Sequence, residues 1–119
     1  MSKSVLKDKS YGFAMMIVKL SRFLISEKKE NVLSKQLLRS GTAVGALVRE
    51  AEFAQSKNDF IHKMSISLKE ANESLYWIDL LHDTDYLNEK QYVEHYNMNK
   101  ELIAMLVSTI KTTKLNNSK

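Results

Sequence analysis

The sequence contains no cysteine and no proline, and only three of its 119 residues are glycine. Without cysteine, the chain cannot form disulfides, thiolate metal sites or a cysteine nucleophile. Without proline, no helix is interrupted by the residue that breaks helices most strongly. No apolar run is long enough to span a bilayer. The first ten residues carry three lysines with no signal-like apolar segment after them. We therefore expect a cytoplasmic protein with no membrane partner.

The composition is that of an ordinary globular protein, with 44% apolar and 27% charged residues. This length predicts a single domain over residues 1–119. The net charge is +4, but the segment 58–87 carries six acidic and only two basic residues. Any basic surface must therefore be formed by the other parts of the chain.

Apolar residues recur with the period of a helix in four segments, about 4–27, 32–54, 57–82 and 88–113. Ser56 followed by Asp59 is typical of a capping box, and Asn88 is placed to cap the fourth helix. Connections this short favour antiparallel neighbours. The pattern predicts an all-α protein, an antiparallel up-down four-helix bundle with a frayed polar tail at 114–119.

Projection at 100° per residue assigns one core stripe to each of the last three helices. The second helix contributes Leu33, Leu37, Val44, Val48 and Ala51. The third contributes Ile61, Met64, Leu68, Ala71, Leu75 and Ile78. The fourth contributes Tyr92, Tyr96, Ile103, Leu106 and Ile110, which leaves His95 outside the core.

The first helix is apolar around most of its circumference. One stripe is assigned to the core: Tyr11, Met15, Val18 and Ile25. A second set covers much of the remaining surface: Phe13, Met16, Ile17, Leu20, Phe23 and Leu24. Together with Ile66 and Trp77, which lie opposite the core stripe of the third helix, this set predicts the interface of a homo-oligomer. A wide, well-buried helix in a small bundle is the alternative. Membrane-surface binding is less favoured, because a strongly charged opposite face is missing.

Gly41 and Gly45 lie one turn apart on the flank of the core stripe of the second helix. A glycine inside a helix costs roughly 1 kcal/mol relative to alanine. We predict that the missing side chains let a neighbouring backbone pack closely here, and a kink at Gly41 is the alternative.

The opposite face of the second helix carries a row of three cations, Lys35, Arg39 and Arg49. Such a row matches a phosphate backbone, and Phe53 is available for stacking on a base. Lys28, Lys29 and Lys57 enlarge this basic patch at the ends of the helix. The alternative interpretation is an ordinary solvated helix face.

Three runs carry a resemblance to a known family: "LLRSGT-VGA---EA", "DF-HK--I--KEA-E--YW---L" and the turn "TDYL". They resemble the four-helix bundle family first described from open reading frames in 23S rRNA intervening sequences. That family is similar to the accessory variability determinant of diversity-generating retroelements, a pentameric barrel with a basic surface that associates with RNA and a reverse transcriptase. The resemblance implies a homopentamer, with RNA or DNA and a reverse transcriptase or another protein as partners.

Three positions depart from the common pattern of the family. The family often has Ser and Asn at the positions of Ala43 and Leu47, and frequently an acidic residue at the position of Arg49. These differences make the second helix more apolar and more basic.

No group of residues is arranged as in a known enzyme site, so we predict no catalysis, no metal and no cofactor. A di-iron bundle needs two Glu-x-x-His units, and this chain offers one distant imitation, Asp79 with His82. Glu70 and Glu73 share a helix face with Lys63, which ion pairing explains.

The sequence therefore predicts a non-enzymatic, oligomeric accessory protein that associates with nucleic acid, and RNA is favoured over DNA. The expected contacts are to the phosphate backbone. Because no base-reading motif is present, binding should be weakly sequence-specific and strongly dependent on salt. The alternative is a structural or protein–protein interaction module with no nucleic-acid role.

Overall fold

The computed structural model describes residues 2–117, and almost all of them lie in four α-helices. The helices are α1 (Ser2–Glu27), α2 (Leu33–Glu52), α3 (Lys57–Asp83) and α4 (Glu89–Asn117). No strand occurs within the described range. Each helix packs against the next along the chain, and α1 also contacts α4, in a body of 52 × 21 × 20 Å. The predicted all-α, four-helix fold is confirmed.

α4 continues to Asn117, beyond the predicted bound of about 113, and the fraying of the tail stays a prediction. Neither proline nor glycine follows Thr113 to end the helix, and the Thr113 hydroxyl donates to the carbonyl of Thr109 at 2.8 Å. Residues 118 and 119 lie outside the described residues.

Side chains satisfy the free backbone N–H groups at the start of three helices. The Ser56 hydroxyl accepts from the Asp59 N–H at 3.0 Å, and the Asn88 side chain accepts from the Gln91 N–H at 2.8 Å. At α2 the cap is Glu30, whose carboxylate accepts from three successive N–H groups, those of residues 32 to 34. This buried carboxylate occupies the anion-binding end of α2, so a phosphate of nucleic acid cannot bind there.

Scarcity of glycine affects the turns after α1 and α3. Lys29 and Asp85 both adopt positive φ, at 58° and 69°, where helix ends usually place glycine. The Glu30 N–H donates to the Leu24 carbonyl, and the Tyr86 N–H donates to the Leu81 carbonyl. These bonds close each helix end despite the left-handed residue.

The buried face of α1 is the face that the sequence pattern assigned to subunit contacts. Phe13, Ile17 and Leu24 are fully buried within the chain, and Leu20 is 5% exposed. The prediction that these four side chains face another subunit is therefore wrong, because they form the core of the chain itself.

The α1 stripe that was assigned to the core lies on the outside instead. Tyr11 is 55% exposed, Met15 48% and Ile25 39%. A charged residue on the same stripe, Arg22, is also exposed. Because a long cation is rarely buried without a partner, Arg22 marks this stripe as the solvent side.

The core face of α4 is also shifted from the predicted one. Leu106 and Ile110 are buried as expected, but Leu102, His95 and Asn99 complete the buried row. Tyr92 and Tyr96 are only half-buried. Because His95 and Asn99 are polar, the pattern of apolar residues did not identify the buried face of α4.

α1 and α2 approach each other closely at the two glycines of α2. A Cβ atom at Gly41 would lie 2.8 Å from Ile17 Cγ1, and one at Gly45 would lie 3.1 Å from the Ser10 carbonyl oxygen. The missing Cβ of Gly45 thus lets α2 approach the backbone of α1, and the missing Cβ of Gly41 leaves room for the Ile17 side chain. This close approach holds the Ile17 face of α1 towards α2.

We predict that Gly41→Ala and Gly45→Ala each destabilise the fold, by about 1–3 kcal/mol, because the added methyl overpacks this contact. Gly12→Ala is the matched control, since a Cβ there meets nothing within 4 Å. It should stabilise the fold by up to about 1 kcal/mol through helix propensity. Urea unfolding of the three variants measures these changes. Equal stabilisation by all three would contradict the close approach.

Candidate nucleic-acid interface

The three cations of the predicted row have different surroundings. All three are exposed, but Arg39 pairs with two carboxylates of α3, those of Glu70 and Glu73. Lys35 and Arg49 have no carboxylate within ion-pair distance among the described residues. The row is therefore interrupted at its centre, and Lys35 and Arg49 are the members available to an external anion.

Arg39 belongs to a charged cluster that continues to an indole. Its pKa is raised above the ordinary value, first by the hydrogen bond to Glu73 and then by the charge of Glu70. The indole N–H of Trp77 donates to Glu73 at 3.1 Å. This bond, followed by the Arg39 bond, lowers the pKa of Glu73. Trp77, predicted at the oligomer interface, is thus held within its own chain and is half-buried.

The cations at the ends of α2 are exposed but separated. Lys28, Lys29 and Lys57 all face solvent, and the Lys29 ammonium donates to the Ser26 carbonyl at 2.8 Å. Lys28 and Lys29 precede α2 by sequence, while Lys57 begins α3 after the other end of α2. The predicted patch consists of two groups at opposite ends of one helix.

A groove of about 790 Å³ lies between α1, α2 and the start of α3. We call it the α1–α2 groove. Tyr11 and Ala14 contribute one wall, and Ala46, Arg49 and Phe53 contribute the other. Phe53, one of the predicted binding residues, is 81% exposed here. The groove therefore combines aromatic surface with a cation.

Arg49 is positioned within the α1–α2 groove by an aromatic ring. Its guanidinium lies over the Tyr11 ring, 5.9 Å from the ring centroid, a distance typical of a cation–π contact. Sequence reasoning assigned Tyr11 to the core and missed this role. The position of Arg22 on the same stripe of α1 was the signal that could have placed Tyr11 at the surface.

The carboxylates of the α1–α2 groove already have partners. Glu50 pairs with Lys63 at 3.1 Å, and the Asp59 carboxylate accepts from the Gln55 N–H at 3.1 Å. Nearby, Lys7 pairs with Glu52 at 3.5 Å. Since Lys7 and Lys63 are both paired with carboxylates of the chain, Arg49 is the cation of the groove that remains for an external anion.

The other predicted interface residues are half-buried. They are Met16, Phe23, Ile66 and Trp77. Met16 and Phe23 line a second depression, of about 620 Å³, where α1 meets α4. Met98 and His95 of α4 lie on its other side. We call this surface the α1–α4 depression.

The Asp79 and His82 pair, considered above as a metal-site imitation, belongs to a contact between α3 and α4. His82 stacks on the Tyr92 ring with centroids 3.9 Å apart, and its Nε2 lies 3.0 Å from Glu89. The Tyr92 hydroxyl donates to Asp79 at 2.8 Å, which raises the pKa of Tyr92 to about 12. Among the described residues, no three His, Asp or Glu side chains are grouped to hold a metal ion.

The contribution of His82 to the stability of the fold should depend on pH. Its hydrogen bond to Glu89, with a smaller contribution from Asp83, raises the pKa of His82 above 6.5. A group whose pKa is raised in the folded state stabilises the fold at pH values below its unfolded-state pKa. This contribution is lost as the pH rises through its folded-state pKa.

We predict that Glu89→Gln returns the pKa of His82 towards its ordinary value in an NMR titration. The variant should lose more stability relative to the parent at pH 5.5 than at pH 8.5, because the imidazolium is present only at the lower pH. A thermal-unfolding difference independent of pH would contradict this contact.

No helix between residues 2 and 117 is long and apolar enough to cross a membrane.

This chain is similar to a known protein family and to a solved structure. The model of a family described as "23S rRNA-intervening sequence protein" matches residues 2–108. A crystal structure from Bacteroides thetaiotaomicron, described as a protein with unknown function from the S23 ribosomal protein family, is 53% identical in sequence. The match covers 93% of this chain and 99% of that chain, with a TM-score of 0.92. No curated protein matches. The similarity therefore extends over both sequence and fold, and neither description assigns an activity.

Proposed function

Because the chain belongs to the 23S rRNA-intervening sequence protein family, we propose that it is a non-enzymatic accessory protein that associates with RNA. The observation that carries this proposal is the unpaired state of Lys35 and Arg49 on the exposed face of α2. They are about 21 Å apart at 1.5 Å per residue, so they can contact separated phosphates of one strand. Lys57 adds an exposed cation beyond the end of α2.

The binding we propose is directed at the phosphate backbone. Arg39 is neutralised by Glu70 and Glu73, and the N-terminus of α2 is occupied by Glu30. Few cations therefore remain on this face of α2, and single contacts should be weak. Repetition of the same face in an oligomer would strengthen binding through avidity.

We propose further that the helices run up and down in chain order. Ser40 of α2 contacts Ser74 of α3, and Glu50 contacts Lys63, so residue numbers rise along one helix as they fall along the other. The contacts of Lys7 with Glu52 and of Gly41 with Ile17 support the same relation between α1 and α2.

The assembly that we propose is a homo-oligomer whose subunits meet at the α1–α4 depression. Met16 and Phe23, both from the predicted interface, leave apolar surface there for a second copy. Contact between α1 and α4 is less extensive than between the other packed helix pairs, so a neighbouring subunit can pack against this seam. We propose five subunits, because the resemblance noted from the sequence connects the family with the pentameric accessory variability determinant.

We predict that Met16→Glu lowers the mass measured by light scattering, because a carboxylate at the α1–α4 depression would be desolvated in the interface. Met15→Glu is the matched control, since Met15 is 48% exposed on a different face of α1. The parent should have a mass that is a multiple of 13.7 kDa. A monomeric parent would contradict assembly, and an equal effect of both variants would move the interface elsewhere.

The RNA proposal is tested by titrating a fluorescent structured RNA at two salt concentrations. We expect the affinity to fall steeply with salt, and Lys35→Glu/Arg49→Glu to bind at least about tenfold more weakly. The double variant should also lower the slope of log affinity against log salt by about one to two, because two phosphate contacts are lost.

Lys100→Glu/Lys111→Glu provides the charge-matched control, because both lysines are exposed on α4. This control should bind RNA much better than the α2 double variant. Equal loss in both would show dependence on net charge alone. Absence of binding by the parent at low salt would favour the alternative function, a protein–protein interaction module.

A further inference from the structure

The α1–α2 groove exposes an aromatic side chain that the fold does not use. Phe53 follows the last residue of α2, and 81% of its surface is in contact with solvent. Its backbone N–H closes the helix by donating to the Glu50 carbonyl at 3.1 Å, a role that any residue except proline could fill. The ring therefore contributes little to the core and is available to an external partner.

The charges beside Phe53 favour an anionic partner with a flat apolar part. Arg49, on the preceding turn of α2, is held over Tyr11 and has no carboxylate partner among the described residues. Of the two carboxylates that line the groove, Glu50 pairs with Lys63, and Asp59 accepts a hydrogen bond from the Gln55 N–H. An apolar face of a second copy would leave Arg49 desolvated without a counter-charge, which is costly.

A nucleotide combines these two features, because each unit of the strand carries a planar base and a phosphate. The groove volume of about 790 Å³ lies within the range of small-molecule sites. In a duplex the bases are stacked and paired, so their faces cannot reach a side chain, whereas unpaired RNA bases stack readily on aromatic residues.

We propose that the α1–α2 groove binds an unpaired base of RNA, which stacks on Phe53 while Arg49 contacts an adjacent phosphate. This inference rests on the proposed function and names the form of RNA that is bound. Because every base has a π-face, the groove selects single strands without selecting a particular sequence.

The experiment measures fluorescence anisotropy with a labelled 12-nucleotide single strand and with the same strand in a duplex. Phe53→Ala should weaken single-strand binding by about tenfold and leave duplex binding unchanged. The salt slope should also stay unchanged, because the phosphate contacts remain. Phe53→Trp should restore single-strand binding, since it restores a stacking surface.

Tyr76→Ala is the matched control, because Tyr76 is 59% exposed on α3 and does not line the groove. It should bind both probes like the parent. Since Phe53 is so exposed, its replacement should preserve the circular dichroism spectrum and the mass by light scattering. A lower mass for Phe53→Ala would make the groove a subunit contact and overturn the inference.

Two outcomes distinguish a role of the groove from RNA association in general. If the parent binds RNA but Phe53→Ala binds the single strand equally well, the groove has no role while RNA association stands. If the parent binds neither probe at low salt, both are overturned.

Discussion

Close packing of α1 on α2 at Gly41 and Gly45 is the constraint on which the rest of the structure depends. A side chain at Gly45 would press against the Ser10 carbonyl, and one at Gly41 against the buried Ile17 side chain. Backbone atoms cannot rearrange as side chains do, so the two helices have little freedom to rotate. This contact turns Phe13 and Ile17 inward. The same rotation places Tyr11 at the surface, beside Arg49.

Competition between partners decides which basic residues can bind an anion. Arg39 lies opposite Glu70 and Glu73 on α3, and their carboxylates pair with it. Arg49 lies over an aromatic ring, which positions the guanidinium without cancelling its charge. Two arginines of one helix face therefore differ in their surroundings because of the neighbouring helices. Their net charge gives no indication of this difference.

The absence of proline and the scarcity of glycine have consequences at the helix ends. The four helices run without interruption, but the turns after α1 and α3 use Lys29 and Asp85 in the left-handed region. The backbone of Lys29 leads directly to Glu30, whose carboxylate caps α2. Local hydrogen bonds thus determine the course of the chain between α1 and α2. The Glu30 carboxylate also occupies one anion site of the candidate interface.

The sequence by itself determined the number of helices, their approximate bounds and two of their caps, because periodicity and capping are local properties. It also placed small residues where α1 approaches α2. It did not determine which apolar face of α1 is buried, since Tyr11, Met15 and Ile25 have the same helical spacing as the residues of the true core. In α4, the buried His95 and Asn99 were likewise indistinguishable from surface residues.

Only the tertiary structure decided which members of the cationic row stay free, because the partners of Arg39 lie more than 30 residues away along the chain. It also decided that Tyr11 of α1 and Phe53, which follows α2, line one groove. Local sequence specifies the side chains that a helix offers. The packing of neighbouring helices determines which of those side chains remain available to bind.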